Sequence, residues 1–505
     1  MKLNRKLVIL VVALLLGSLA FAGSPAAPVS RGNFLRNPQY ATQSALTLYV
    51  DPTGSDANPC TASGTAACLT LQAANNKIPK LVRHPVTVNV ATGNYAGLGV
   101  NGFSFDAADV TNGAYINWVG TLITATVATG TATGTATGGT AGSTTGPVFG
   151  TLTDTGQAWT VDNLKGKIIT ITGGTGSGQQ QIVSTNSATV ITITGTWTAP
   201  VGASSTYAVQ DWGSVVNTAV ASSTVPGTTG GNLVALRIDQ NGAIRASLPF
   251  STARAGAAIN FTSMKFAPGT AGQTAVRVNG SSQIAFSLCS INGNTTGNGI
   301  NQLNSSQIFG DNNYITSPSF SAFSATFSNA SSTNTYWHGT LFEGSLNVVS
   351  PGSNGSISLC QVNNNNATGT AFIVGSSGAT GSFIGSSIIK CTVAGASKGI
   401  MATNSGATVG LTVQLSTVTS CDIGLLSDSA GSNIFLTGAS TFTGTGAQTT
   451  GLKAILGGRI VIGTNPTISG YTADLTVDGT TMLFTDFTAL LPTAVSTTKG
   501  SYIVK

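Results

Sequence analysis

The sequence predicts an all-β solenoid, in which short strands stack along one axis. Only 7% of the 505 residues are charged, whereas 41% are hydrophobic and 64 are glycine. This composition excludes coiled coils and charged disordered tails, and it favours packed strands joined by tight turns. From about residue 255 onward the chain repeats a short alternating strand, an Asn or Gly turn and a Gly-apolar step. A repeat of roughly 25 residues made of strands and turns is typical of solenoids.

The strands are recognised by their alternation. Ile284 and Phe286 alternate with Ala285 and Ser287, which places one row of side chains inward. Asn-rich segments such as 363–366 fall between the strands. Because Asn tolerates the left-handed conformation and hydrogen-bonds its own backbone, these segments are predicted to be corners rather than disorder.

The N-terminus is typical of a secretory signal peptide. Residues 1–22 contain a basic start, an apolar run from Leu7 to Leu16 and a small-x-small cleavage site that ends at Ala22. A membrane anchor is the alternative, but the run from Leu7 to Ala22 is shorter than the about 20 residues that a span requires. We therefore expect an exported protein, secreted or held at the cell surface, without a transmembrane segment after cleavage.

The six cysteines fall into two groups. Cys60 and Cys68 bracket a short polar loop, and in an oxidising compartment we expect a disulfide between them rather than two thiols. The other four each lie inside an apolar strand, and they are Cys289, Cys360, Cys391 and Cys421. Because these four lack Cys-x-x-Cys pairing and neighbouring His, we predict buried small side chains stacked along a core and no metal site.

The chain is predicted to form one solenoid that is interrupted by a small domain. A short helical stretch ended by Pro79 follows the disulfide loop, and we expect it to cap the solenoid because a terminal turn exposes unpaired backbone groups. Thr-Ala-Gly low complexity and then a compact set of strands break the repeat between residues 121 and 212. The predicted segments are a linker at 23–45, the cap and first turns at 46–120, the low-complexity linker and inserted β domain at 121–212, the main solenoid at 213–490 and a tail at 491–505.

Three segments carry a resemblance to a known architecture. They are YVDPTGSD at 49–56, TLQAANNKIP at 70–79 and HPVTVNVATGNY at 84–95. With the Cys- and Gly-marked turns that follow, the chain resembles right-handed parallel β-helix proteins of the pectin-lyase-like superfamily over most of its length after residue 45. The resemblance implies a single-stranded right-handed parallel β-helix. It implies little about activity, because that superfamily includes polysaccharide lyases, hydrolases, esterases, phage tailspikes and non-catalytic surface proteins.

Cleavage of a glycan would require specific acidic groups. Hydrolases need two carboxylates about 5 to 9.5 Å apart, and lyases need a base and a group, often Ca²⁺, that neutralises the uronate. The best candidate for such a site is Tyr336-Trp337-His338 with Glu343, and with Asp311 one turn earlier. Aromatic faces stack on sugar rings, and a His beside a carboxylate can transfer a proton. The alternative is a hydrogen-bonded His with aromatic side chains that cover a loop.

A group of arginines is the second candidate for binding. Arg237, Arg245, Arg254 and Arg277 hold much of the positive charge of the solenoid. We expect them either to bind an acidic glycan or to form a solvated surface. Nucleic acid is not an expected partner, because Lys and Arg do not form the larger basic surface that such binding requires. No cofactor is expected, except Ca²⁺ if the protein is a lyase.

Three functions remain open from the sequence. The first is a secreted or surface-associated β-helix protein that binds or scaffolds polysaccharide without turnover, which the scarcity of carboxylates favours. The second is a polysaccharide-degrading enzyme, a lyase or a glycoside hydrolase. The third is a glycan-recognition protein similar to a phage tailspike, against which the signal peptide argues.

Overall fold

The computed structural model is an all-β parallel solenoid of about 12 turns with almost no helix, which confirms the predicted solenoid. The strands of its walls pair in parallel with the strands of the turns before and after them. The structure describes residues 40–107, 113–143, 147–217, 234–239, 250–251, 254–255, 258–268, 274–279, 283–294, 297–303, 306–319, 321–326, 334–345, 348–350, 354–366, 368–375, 380–391, 397–403, 409–464, 466–479, 481–484, 495–497 and 502–504. The predicted signal peptide lies outside these residues.

The first wall of the solenoid is a 14-stranded sheet, which we call the first ladder. Its side chains alternate between the core and the surface, as in Val86–Val90, because successive side chains of a strand point to opposite faces. The strands are Leu46–Val50, Val86–Val90, Ile116–Val119, Ile259–Thr262, Gln283–Ser287, Gln307–Asp311, Asn334–His338, Asn354–Ser358, Thr380–Ile384, Val409–Gln414, Ser432–Thr437, Arg459–Ile462, Thr481–Phe484 and Tyr502–Val504.

The other wall is a 21-stranded sheet that contains two parallel ladders. The second ladder directly follows the first ladder in each turn, and the third ladder completes the turn. The second ladder consists of Gly93–Tyr95, Ser214–Val216, Lys265–Phe266, Ser290–Asn292, Tyr314–Thr316, Leu341–Gly344, Gln361–Asn364, Ser387–Lys390, Thr417–Thr419 and the first parts of Thr441–Ile455 and Thr467–Asp478. The third ladder consists of Leu98–Asn101, Leu236–Asp239, Val276–Asn279, Ile300–Leu303, Phe323–Thr326, Val349–Ser350, Thr370–Val374, Lys398–Thr403, Ile423–Asp428, the second parts of the same two long strands, and Val495–Thr497.

The interior between the ladders is one continuous apolar core. Register brings like residues above one another, so that Ile259 pairs with Ile284 and Phe261 pairs with Phe286. The rings of Phe261 and Phe286 stack with 5.5 Å between their centroids. Burial of these side chains along the whole axis supplies the main stabilisation of a chain with so few charges.

A tight corner joins the first ladder to the second ladder, and it has a repeated conformation. One residue of the corner has a positive φ, and in most turns a small buried side chain follows it. In four places a small side chain of the corner accepts a hydrogen bond from the backbone N–H of the turn before: Asn313 from Cys289, Thr340 from Asn313, Ser386 from Cys360 and Ser440 from Ser416. The positive-φ residues are Ser263, Leu288, Asn312, Gly339, Leu359, Gly385, Leu415 and Gly438.

The N-terminal end carries the α-helix Leu71–Lys77 and the 3-10 helix Gly64–Ala66. The side chain of Thr70 accepts a hydrogen bond from the backbone N–H of Ala73 at 3.1 Å, so that Thr70 is the N-cap residue. The Asp56 carboxylate in turn accepts the backbone N–H of Thr70 at 2.8 Å. Two short sheets complete the described elements: Leu81–Val82 with Ser104–Phe105, and Phe250–Ser251 with Arg254–Ala255.

The described residues between 122 and 212 form a separate antiparallel sheet, which we call the antiparallel unit. It leaves the solenoid after the first-ladder strand that ends at Val119 and returns at the second-ladder strand that begins at Ser214, so it takes the place of one tight corner. It has its own apolar core, in which Trp159, Trp197 and Tyr207 are buried. The strands are Leu122–Thr124, Thr133–Thr135, Gly138–Thr140, Thr151–Thr153, Ile168–Gly173, Gln180–Asn186, Val190–Ile193 and Thr206–Trp212.

The cysteines agree with the sequence predictions in part. The predicted Cys60–Cys68 disulfide is confirmed, and the side chains of Cys289 and Cys360 are buried as predicted. These two residues lie in the tight corner, however, and not inside a strand as the sequence suggested. The prediction for the other two cysteines was wrong, because Cys391 and Cys421 form a second disulfide. They lie in successive turns with 4.9 Å between their Cα atoms, and this proximity follows from the register and not from their spacing in the sequence.

Two strands of the solenoid lie within residues 491–505, the segment that the sequence predicted to be a tail. Val495–Thr497 pairs with the third ladder, and Tyr502–Val504 pairs with the first ladder. The open edge of a parallel sheet offers unpaired backbone groups, which these strands satisfy. Within the described part of the chain, no helix is long and apolar enough to cross a membrane.

Candidate functional site

Four side chains meet on the outward face of the first ladder. The strands Gln307–Asp311 and Asn334–His338 pair in parallel, so that Phe309 lies beside Tyr336 and Asp311 lies beside His338. Residues two apart on a strand share a face, and the four side chains therefore form a two-by-two group. We call Phe309, Asp311, Tyr336 and His338 the outward patch.

The acid and the histidine of the outward patch are in contact. His338 Nδ1 lies 3.0 Å from Asp311 Oδ1, and the two side chains are 36% and 29% exposed. With Nδ1–H donating to the carboxylate, Nε2 is the ring nitrogen that is left to meet a ligand. The pair therefore presents an oriented imidazole that is accessible to solvent.

Tyr336 and Trp337, which are neighbours on the strand Asn334–His338, point to opposite faces of the first ladder. Tyr336 is 43% exposed on the outward face. Partial burial raises the pKa of Tyr336 above its ordinary value, so the phenol stays protonated and can donate a hydrogen bond at neutral pH.

Trp337 was expected to bind sugar with Tyr336, but its position does not agree with that role. Its side chain is fully buried and packs edge-on against Phe323 and Phe342 at 5.5 and 5.6 Å between ring centroids. Gly310 lies directly opposite, where a Cβ atom would be 1.7 Å from the Trp337 ring. Trp337 therefore supports the strand from below, and the missing side chain of Gly310 leaves room for it.

Hydroxyl groups extend the outward face beyond the patch. Ser358 follows His338 in register, and Ser356 follows Tyr336. The Ser382 hydroxyl donates a hydrogen bond to Ser356 at 2.6 Å on the next strand. The same outward row continues to Phe435, which is 44% exposed.

Glu343 is held in a different cluster from the other predicted catalytic residues. It lies on the second ladder, and its carboxylate accepts hydrogen bonds from Tyr314 at 2.6 Å and from Asn363 at 2.8 Å. It also forms an ion pair with Lys165 of the antiparallel unit. The side chain of Glu343 is only 14% exposed, and that of Lys165 is 28% exposed. These partners engage the carboxylate in a contact between the two parts of the molecule.

The contact that contains Glu343 is extensive. Trp212 Nε1 donates to the backbone carbonyl of Leu288 at 2.7 Å, and Gln361 Nε2 donates to the carbonyl of Ile193 at 3.1 Å. The backbone of Gly166 lies against the Tyr314 ring, where a Cβ atom would be 2.4 Å from the ring. A shared apolar cluster seals this contact, and it consists of Ile168, Ile182, Trp212, Leu288 and Leu341 with Leu122 and Tyr314.

Among the described residues, the predicted arginines lie in two separate places and do not form one cluster. Arg237 and Arg277 are neighbours in register on the third ladder, and both are half-buried. Arg254 lies in the short strand Arg254–Ala255, and Arg245 lies outside the described residues. In the part of the chain that the structure describes, no three His, Cys, Asp or Glu side chains come together as a metal site would require.

Sequence reasoning missed Phe309, Tyr314 and Lys165. Phe309 could have been found, because QIFGD and NTYWH align with Phe309 over Tyr336 and Asp311 over His338. Lys165 could not have been found in this way, because its contact with Glu343 depends on how the antiparallel unit packs against distant turns.

No family model matches the sequence, and a search of curated proteins found no match. Among solved structures, the chain is similar to the tailspike protein gp49 from Pseudomonas phage LKA1, with a TM-score of 0.27 and 10% identity over 83% of this chain and 75% of that chain. A glycoside hydrolase gives a TM-score of 0.29 and 9% identity over 91% and 96% of the two chains. The Gp54 tailspike of Acinetobacter baumannii bacteriophage AP22, solved with A. baumannii capsular saccharide, gives 0.20 and 9% over 83% and 71%. Scores this low assign neither an activity nor a ligand to this chain.

Proposed function

We propose that the protein binds polysaccharide on the outward face of the first ladder, with the outward patch as the centre of the site. The observation that carries this proposal is the two-by-two arrangement of Phe309 beside Tyr336 and Asp311 beside His338. Aromatic faces stack on the apolar faces of sugar rings, and the adjacent carboxylate and imidazole hydrogen-bond sugar hydroxyls.

The surroundings of the outward patch suit a long, uncharged ligand. Successive strands of the first ladder repeat about every 4.8 Å, and their outward rows carry the hydroxyls of Ser356, Ser358 and Ser382. A polysaccharide that lies along these rows meets a hydrogen-bonding group on each strand. Affinity then comes from many weak contacts in a row, which fits a protein with so few charges.

Binding without cleavage is favoured by the position of Glu343. A glycoside hydrolase needs a second carboxylate about 5 to 9.5 Å from the first, across the bond that is cut. Glu343 was the predicted partner of Asp311, and it is instead engaged by Lys165, Tyr314 and Asn363. Its three partners already use the oxygen atoms that a catalytic carboxylate would offer to a substrate or to water.

A lyase is the second candidate, and one observation favours it. The 3.0 Å contact between His338 and Asp311 orients an accessible imidazole, as a general base requires. In this reaction His338 Nε2 would take the proton from the carbon beside a uronate carboxylate. The glycosidic C–O bond on the adjacent carbon would break to leave a C=C bond, and the departing oxygen would gain a proton from water. The half-buried arginines Arg237 and Arg277 belong to another wall of the solenoid, so that they would not neutralise this uronate.

We further propose the finer architecture and the export that the sequence predicts. These include right-handed winding of the pectin-lyase-like type, a helical cap, an inserted β domain at 121–212 and export to the cell exterior after removal of residues 1–22. The two disulfides support export, because such bonds persist in oxidising compartments. N-terminal sequencing of the protein from culture medium tests the cleavage at Ala22.

The experiment that tests the proposed function combines binding and product detection. The purified protein is run by affinity electrophoresis in gels that contain neutral or acidic polysaccharides, and the same mixtures are assayed for reducing and unsaturated ends. Retardation without product supports binding alone. Unsaturated ends that disappear in His338→Ala support the lyase. Absence of retardation and product with every polysaccharide contradicts both candidates.

A further inference from the structure

A cavity lies where the first-ladder strands end, at the N-terminal end of the solenoid and far in sequence from the outward patch. It has a volume of about 410 Å³, within the roughly 300 to 1,000 Å³ of small-molecule sites. Its lining residues come from the ends of the first-ladder strands, from the residues that directly follow these strands and from the loop closed by Cys60–Cys68. The polar lining residues are Tyr49, Asp51, Ser63, Asn89 and Thr121.

The disulfide loop contributes Ser63 to the lining of this cavity, and hydrogen bonds hold the loop in place. The backbone N–H of Cys68 donates to the Tyr49 carbonyl at 2.9 Å, and the N–H of Tyr49 donates to the Cys60 carbonyl at 2.8 Å. Asn58 Nδ2 donates to the carbonyls of Thr65 and Ala67 at 2.7 and 2.9 Å. The loop is therefore attached to the strand Leu46–Val50 at both Cys60 and Cys68. This attachment holds Ser63 beside the cavity.

The charges of the groups that line the cavity disfavour an anionic ligand. Asp51 Oδ1 accepts the backbone N–H and the hydroxyl of Thr53 at 2.9 and 2.7 Å, and these bonds hold the pKa of the carboxyl below its ordinary value. The carboxylate is thus ionised at neutral pH and accepts hydroxyl donors. The described lining contains no Lys, Arg or His, so nothing in it would balance the charge of an acidic sugar.

We propose that this cavity binds one neutral, hexose-sized sugar residue, such as the end of a glycan chain, between the Tyr49 ring and the Asp51 and Asn89 side chains. Tyr49 and Asn89 are neighbours in register on the first ladder, so an aromatic face and an amide lie side by side. Asp51 follows the same strand and supplies an acceptor at the corner. This site is separate from the outward patch and does not require it.

The test uses ligand-observed NMR titration with methyl glycosides of neutral hexoses and, for comparison, methyl glucuronide. We expect millimolar binding of at least one neutral glycoside and at least tenfold weaker binding of the glucuronide. Ser63→Trp places a bulky ring at the mouth of the cavity. Ala62→Trp is the matched control, because Ala62 is an exposed neighbour on the same loop that does not line the cavity. Ser63 makes no capping hydrogen bond with its side chain, so the loop should keep its fold.

The proposal predicts that Ser63→Trp weakens hexose binding at least tenfold and that Ala62→Trp leaves it within twofold. Equal effects of both variants, equal binding of the glucuronide, or absence of binding by every neutral glycoside would overturn it. Tyr336→Ala separates this site from the proposed function, because it should reduce polysaccharide binding and leave hexose binding unchanged. Hexose binding in a protein that binds no polysaccharide would support this site and contradict the outward patch alone.

Discussion

The sealed contact around Glu343 and the outward patch around His338 lie only a few residues apart in sequence, yet they have opposite character. The Glu343 carboxylate has three partners and is 14% exposed. The Asp311 carboxylate contacts His338 and is 29% exposed. The tight corner at Gly339 separates them, and it turns one group toward solvent and the other toward the antiparallel unit.

The difference shows that the antiparallel unit covers Glu343 and leaves the carboxylate of the outward patch accessible. The unit arises from one corner and folds back over the corners of later turns, where it covers the second ladder near Leu288, Tyr314 and Leu341. The first ladder has an uncovered outward row at Tyr336 and Phe435. A ligand can therefore reach the first ladder at sites that the second ladder does not offer.

The strand Asn334–His338 gives the sharpest contrast between the covered and the open side. Trp337→Ala should lower the free energy of unfolding by about 3 to 5 kcal/mol, because it leaves a large cavity in the core. Tyr336→Ala on the same strand should change it by less than about 1 kcal/mol. Urea denaturation followed by circular dichroism measures both. Similar losses for the two variants would mean that the strand is not oriented as described.

The sealed contact should respond strongly to loss of its carboxylate. Glu343→Ala leaves Lys165, Tyr314 and Asn363 without their acceptor, and should cost about 2 to 3 kcal/mol. Asp211→Ala is the matched control, since it removes the carboxylate of the simpler Lys167–Asp211 pair at 2.6 Å. Its cost should be about 1 kcal/mol or less. A larger loss in the control than in Glu343→Ala argues against a sealed contact.

The hydrogen bond between Asp311 and His338 in the outward patch should matter little for stability. Asp311→Asn keeps the shape of the side chain and removes its charge, and because both partners are about one-third exposed it should cost at most about 1 kcal/mol. The measurement is the same urea denaturation. A cost above about 2 kcal/mol would place this pair with the structural cluster of Glu343, and not with a binding surface.

The smallest expected effect is a loss of stability at high pH, which depends on Tyr314. Burial, and then the Glu343 carboxylate, raise the pKa of Tyr314 above its ordinary value of 10.0. A raised pKa means that the stabilisation is complete below pH 10 and is lost as the pH rises toward the folded value. The urea concentration at the midpoint of unfolding should therefore fall more steeply between about pH 9 and 11 for the wild type than for Tyr314→Phe. Parallel curves for the two proteins would contradict this assignment.

The fold was predictable because its causes are local. The inward row at Ile284 and Phe286 and the short spacing of Cys60 and Cys68 appear in the sequence, and the structure agrees. The predicted corner at 363–366 was wrong in part, because Asn363 and Asn364 belong to the strand Gln361–Asn364. Trp337 was also predictable in principle, since it lies between the outward residues Tyr336 and His338 and must point inward.

Contacts between distant segments were not predictable from one sequence. The Cys391–Cys421 disulfide depends on the register of two turns, and the Lys165–Glu343 ion pair depends on how the antiparallel unit docks. Register and docking are set by the sum of many packing contacts, so no local pattern encodes them. The contact with Lys165 therefore separates Glu343 from Asp311 and His338, although the sequence predicted that these three residues form one catalytic group.

The most direct test of the account compares two equally exposed aromatic side chains on one outward row. Tyr336 and Phe435 are 43% and 44% exposed, but only Tyr336 has Asp311 and His338 beside it. With a polysaccharide that retards the wild type in affinity electrophoresis, Tyr336→Ala should weaken binding at least tenfold, and Phe435→Ala should change it less than threefold. Equal affinities of the two variants, or a greater loss in Phe435→Ala, would contradict the outward patch as the centre of binding.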